Sequence, residues 1–174
     1  IHAGRQYLQE LVNHHISGQL KIAPEHIDDR VLNLMGKPGS ASLLKFTELF
    51  DQCNRAIGKD QYLTYYFIAA HPGCNDQEMR SLKRFTRIRL RLNPEQVQIF
   101  TPAPSTYSSV MYYTGLDPFT LQPIFVEKNL TRKQRQKIIL LTKSGDLSYH
   151  ERLSGKRQAS HARTGQRKPR ERQK

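Results

Sequence analysis

The sequence is poor in cysteine, in long apolar runs and in acid. Two cysteines, Cys53 and Cys74, occur in 174 residues. Two thiols build no disulfide framework, so a reducing, cytoplasmic setting is expected. No apolar run approaches the roughly 18 residues that a bilayer-spanning helix needs, so no membrane partner is expected. The opening IHAGRQYLQELVNHH is mixed and polar and reads as no signal peptide. A first residue of Ile rather than Met is what a piece of a longer chain would show. Acidic residues number 15 against 28 Lys and Arg, for a formal net charge of +13.

That excess is uneven. Residues 151–174 carry nine Lys and Arg against two Glu, and the other 150 residues carry 19 against 13. The stretch ERLSGKRQASHARTGQRKPRERQK has one large apolar residue, Leu153. It cannot bury enough surface to offset the entropy of ordering, so 146–174 reads as a disordered basic tail. Such a tail is either a solvated terminus or a contact for nucleic acid or another polyanion.

What remains has the pattern of an α/β domain. Residues 5–17 place Tyr7, Leu8, Leu11, Val12 and His15 at helical spacing, ended by Gly18. QLKIAP (19–24) predicts a strand. Asp28 or Asp29 is placed to cap a short helix, and GKPGS (36–40) breaks it. A broad apolar stripe from Leu43 to Ile57 predicts a helix closed by Gly58. QYLTYYFIAA (61–70) is apolar almost throughout, which predicts a strand buried on both faces. Asn75 followed by Glu78 predicts a capping box for the next helix. QVQIFT (96–101) is a third strand and 106–113 a short helix. PIFVEK (123–128) is an isolated strand candidate, and Thr131 would cap a last helix. Strands alternating with helices indicate βαβ units and a parallel sheet. Three such strands leave raw edges, so a missing segment or a partner is expected to cover them.

Parallel strands end on one edge, and in α/β folds that edge hosts the ligand. The three ends, APEH (23–26), AAHPGCND (69–76) and TPAPST (101–106), each set proline beside hydrogen-bonding side chains. They would gather Glu25 and His26, then His71, Cys74 and Asn75, then Thr101, Ser105 and Thr106 on one rim. The bland reading stands beside this: Pro and Gly end strands everywhere, and capping alone accounts for Asn75 and Glu78. Two chemistries can be weighed at the rim, and neither a catalytic residue nor a metal ligand is assigned there. His26, His71 and Cys74 supply three metal-ligand types, at a spacing that matches no compact metal motif. Cys74, beside His71 and near a helix N-terminus, has the setting of an activated thiol. Glu25 has no acidic partner for paired-carboxylate chemistry. GKPGS follows no strand and is no phosphate loop.

GQLKIAPEHIDDRVLNLMGKP (18–38), YLTYYFIAAHPGCND (62–76) and EQVQIFTPAPSTYSSVMYYTGLDPFT (95–120) resemble the C-terminal half of YgiQ-type radical S-adenosylmethionine proteins. The resemblance covers roughly residues 1–145. It implies the last three strands of a partial TIM-like (β/α) barrel in 1–114, an extension of unknown role in 115–145, and the tail. By resemblance, the strand ends cradle S-adenosylmethionine: Lys21 and Glu25 on the first, Ile68 and His71 on the second, and Phe100, Thr101 and Pro102 on the third. It also implies a [4Fe–4S] cluster held by a CxxxCxxC run. This chain has no such run, so cluster ligands are expected upstream, in the missing N-terminal half of the same enzyme. A second-strand pattern, G-x-I-x-G-x-x-E, keeps only Ile68; Tyr66, Ala70 and Gly73 stand at its other positions. The implied function is the C-terminal portion of a radical S-adenosylmethionine enzyme of unread substrate. The alternative is a basic nucleic-acid-binding adaptor without catalytic activity.

Overall fold

A computed structural model describes residues 2–142. The elements run α1 (His2–Glu10), continued as a π-helical turn (Leu11–His15), β1 (Gln19–Glu25), α2 (Asp29–Leu34), α3 (Ser40–Ile57), β2 (Tyr62–Ala69), α4 (Asp76–Ile88), β3 (Val97–Ile99), α5 (Tyr107–Thr114) and α6 (Leu130–Leu141). The strands form one parallel sheet in the order β1-β2-β3. It is an open three-stranded α/β sheet. The basic tail lies outside the described residues, as does any contact it makes.

Local chemistry accounts for the element ends. Asp28 caps α2, its side chain accepting from the Arg30 and Val31 N–H groups. Asp29 instead serves the next helix, where its Oδ1 accepts from the Ser40 N–H at 2.7 Å and so caps α3. α3 therefore begins three residues before its apolar stripe and ends at left-handed Gly58 (φ 66°). The Asn75–Glu78 capping box forms as its spacing predicts. At α6 the cap is Asn129, whose Oδ1 accepts from the Arg132 N–H at 3.1 Å, rather than Thr131. The segment 123–128 is not a strand. It makes a single antiparallel bridge, Leu116 with Pro123; the Phe125 carbonyl instead accepts from the Gly73 N–H.

The helices bury one face of the sheet. On that face Phe67, Ala69 and Val97 pack with Val31 of α2, Met79 and Leu82 of α4, and Ile139 and Leu140 of α6. Leu20 and Leu63 pack farther along against Leu8, Val12 and Phe50 of α1, its π-turn and α3. Registers Lys21 with Thr64 and Ile68 with Gln98 put the alternate residues on the opposite face. There Gln19, Lys21, Ala23, Tyr62 and Gln98 are exposed, and Thr64, Tyr66 and Ile68 are half-buried. So β2 is not buried on both faces, as its continuous apolarity predicts. Its Tyr and Ile side chains lie across an uncovered face with polar neighbours on β1 and β3.

Candidate functional site

The three strands point the same way, so their tips share an edge. Each tip carries a non-glycine residue in the left-handed region: Glu25 (φ 65°), Ala70 (φ 60°) and, in the loop after β3, Ser105 (φ 60°). This conformation is costly for residues with a Cβ and concentrates at functional positions. On β1 the register advances from Ile22 to Glu25 while β2 advances from Tyr65 to Phe67. One extra residue is accommodated at Ala23-Pro24, where proline has no N–H to pair. The bulge turns Glu25 onto the rim, its Oε1 lying 3.4 Å from Lys37 Nζ. Lys37 Nζ also donates to the Ala23 carbonyl at 2.8 Å.

Behind the rim lies a buried polar network. His26 Nδ1 accepts from the Asp28 N–H at 3.0 Å, and His26 Nε2 lies 3.6 Å from Cys74 Sγ. Gln136 of α6 accepts from the Ala70 N–H at 3.0 Å and donates to the Cys74 carbonyl at 3.2 Å. His71 has both ring nitrogens engaged, Nδ1 with the Pro72 carbonyl and Nε2 with Ser108 Oγ, each at 2.8 Å. Its ring meets the edge of buried Phe100, centroids 5.1 Å apart. Burial lowers His26 and His71 to about 4, so both rings are neutral. Burial, then Glu78, pushes the Cys74 thiol up to about 12.

These contacts decide the competing chemistries. A thiol this basic and this enclosed is no activated nucleophile, so the helix N-terminus does not activate Cys74. His26, His71 and Cys74 do not converge as a ligand set, because His71 turns to Ser108 while the other two face each other.

The residues implied by resemblance divide into two groups. Lys21 and Ile68 lie on the uncovered face. Lys21 sits well before the tip: its Nζ donates to Gln96 Oε1 at 2.7 Å and lies 5.5 Å from the Tyr66 ring centroid. Glu25, Thr101 and Pro102 lie on the rim, with Thr101 exposed. His71 and Phe100 are buried beneath it. Other expected rim residues have structural roles. Asn75 caps α4, and Thr106 caps α5 by accepting from the Ser109 N–H. Three of the four basic residues of α6 are likewise engaged. Arg132 lies 3.9 Å from Glu127, Arg135 lies 3.1 Å from Asp76, and Lys133 donates to Tyr112 Oη at 3.1 Å.

Sequence reasoning missed Thr64, Tyr66 and Gln98 on the uncovered face. The alternation Gln96-Val97-Gln98 was the available signal for the last. Gln136, 62 positions beyond Cys74, carried no local signal.

No protein-family model matches the chain. Curated relatives do. A UPF0313 protein of Fusobacterium nucleatum is 58% identical over 140 residues, covering 80% of this chain and 25% of that protein. Another, of Geobacter sulfurreducens, is 47% identical over 135 residues, covering 78% and 22%. A third, of Porphyromonas gingivalis, is 46% identical over 134 residues, covering 77% and 21%. The chain thus spans a quarter or less of these relatives' length and matches their C-terminal part.

Proposed function

We propose that this chain, grouped by homology with the UPF0313 family, supplies one wall of an S-adenosylmethionine pocket in a radical S-adenosylmethionine enzyme. The observation that carries the reading is the sheet itself. Among the described residues it is parallel, helix-covered on one face only, and left-handed at Glu25 and Ala70 on the tips of β1 and β2 and at Ser105 in the loop after β3. In α/β folds nucleotides seat at the carboxyl ends of parallel strands, which here is the bulged, proline-marked rim. The short span of the relatives covered by this chain agrees with a site completed from elsewhere in a longer protein.

The residues present fit that ligand. Ile68 offers an apolar surface for a base. Lys21, held by Gln96 and Tyr66, places a cation on the same face, suited to a carboxylate. Glu25 sets a carboxylate at the rim, suited to ribose hydroxyls or an ammonium group. The loop after Phe100 leaves Thr101 accessible for contacts to a base edge. His71 and Phe100 act from beneath, packing against each other and stiffening the floor.

The two cysteines do not fit an iron–sulfur cluster. Cys53 packs with Phe50 and Val12, whereas Cys74 packs with Phe67 and Met79. Cluster ligands would come from outside this chain. When bound, the cofactor pair would supply one-electron chemistry.

The adaptor reading draws its charge chiefly from the tail, outside the described residues. Within them, three α6 cations already have partners. The test is S-adenosylmethionine binding to the full-length protein by calorimetry. Lys21→Ala and Ile68→Asp should each weaken it about tenfold, the scale of one lost polar or apolar contact. Lys45→Ala, on α3, should not. Absence of binding by the wild type, or indifference to both rim-face variants, overturns the reading.

A further inference from the structure

The loop that joins β2 to α4 is held chiefly by chain far away in sequence. Three of its backbone polar groups are satisfied from the segment after α5. Gln136 takes the Ala70 N–H with one end of its carboxamide and the Cys74 carbonyl with the other, at 3.0 and 3.2 Å. The Phe125 carbonyl takes the Gly73 N–H at 2.7 Å. Ala70 and Gly73 are both left-handed, at φ 60° and 86°. A Cβ on Gly73 would collide with Leu34 Cδ1. The loop is therefore strained, tightly enclosed and tied down from outside.

We infer that Gln136 is a positioning residue, through which α6 holds the β2 rim loop in the conformation the ligand site requires. The inference rests on the reading above for the identity of the ligand, but not for the clamp. Its chemistry is specific. Ala70 needs an acceptor and the Cys74 carbonyl needs a donor, side by side, and a carboxamide presents one of each. Gln136 is 1% exposed, so bulk solvent does not reach either contact. An apolar side chain of similar length leaves two buried backbone groups unpaired, which removes the reason for Ala70 to stay left-handed. On the other side, His26 Nε2 against Cys74 Sγ ties the same loop to the end of β1. The segment after α5 is thereby a structural part of the rim, joined to it at the loop that ends the central strand.

The experiment uses the full-length protein and two readouts. Hydrogen exchange followed by mass spectrometry reports on the peptide spanning 69–75, and calorimetry reports S-adenosylmethionine affinity. Gln136→Met should speed exchange of that peptide about tenfold while leaving peptides of α3 unchanged, and should weaken binding about tenfold. Unchanged exchange at 69–75 overturns the clamp. Faster exchange with unaltered affinity overturns the positioning role. If the wild type does not bind S-adenosylmethionine, the functional reading fails, and exchange still judges the clamp. If Gln136→Met does not fold, the wild type decides alone. The 69–75 amides should then open together with those of α6, and opening of 69–75 well before α6 contradicts the inference.

Discussion

His26 and His71 show how burial sets chemistry at the scale of a residue. Both are held near 4 by loss of hydration; for His26 the Asp28 carboxylate opposes this and His71 reinforces it. Their folded values lie below the ordinary 6.5, so the unfolded chain binds more protons between the two. The stability they contribute as neutral rings is complete above about pH 6.5, falls as pH drops toward 4, and changes no further below it. At the ordinary conversion of pKa to free energy, each ring accounts for at most about 3 kcal/mol across that window. Urea unfolding from about pH 7.5 to about 4 should show the decline, and His71→Gln should flatten it. A pH-independent midpoint in the wild type would show that the rings are not enclosed as described. The same enclosure agrees with the sequence reading, which assigned Cys74 neither a catalytic nor a metal-ligand role. Thiol, imidazole and helix N-terminus are all present in the sequence, but burial, then Glu78, raises the thiol.

At the scale of elements, the β2–α4 loop places a non-glycine residue, Ala70, in the left-handed region. Ala70 occupies a conformation that glycine adopts freely. Ala70→Gly should therefore change stability by less than about 1 kcal/mol, relief of strain offsetting the lost buried methyl. Ala70→Val should cost more than about 2 kcal/mol, because a branched Cβ fits neither the backbone nor the buried site. Thermal denaturation decides, and equal effects of the two substitutions would mean the loop is not locked. Much of this level was legible. The Asn75–Glu78 box, the Asp28 cap, the Gly58 stop and the three strands follow from short-range rules. Others were not, because the competing partner lies far off. Asp29 serves α3 rather than α2, Asn129 displaces Thr131 as a cap, and PIFVEK gives its Phe125 carbonyl to Gly73 instead of a ladder. The doubly buried reading of β2 failed for another reason. Tyr62, Tyr66 and Ile68 are apolar enough to mimic core, and the polar pattern that marks their face is on β1 and β3.

The described residues form a parallel sheet with helices on one side and, among those residues, a bare, mixed surface on the other. That asymmetry was invisible to a one-strand reading and emerges only from the registers. The shared rim was legible because parallel strands must end together, and the proline-marked tips announced it. Which side chains lie open was legible only in part: Lys21 and Ile68 lie on the uncovered face, whereas His71 and Phe100 are buried beneath the rim. Among the described residues no helix is long and apolar enough to cross a membrane.

The central claim is that the uncovered face and its rim form part of an S-adenosylmethionine pocket. The most direct measurement is photolabelling of the full-length protein with an azido-adenosyl analogue of that cofactor, followed by peptide mapping. The account predicts label on the peptides spanning 64–71 and 98–102, competed away by unlabelled S-adenosylmethionine. Competed label confined to peptides outside residues 19–102 would contradict it.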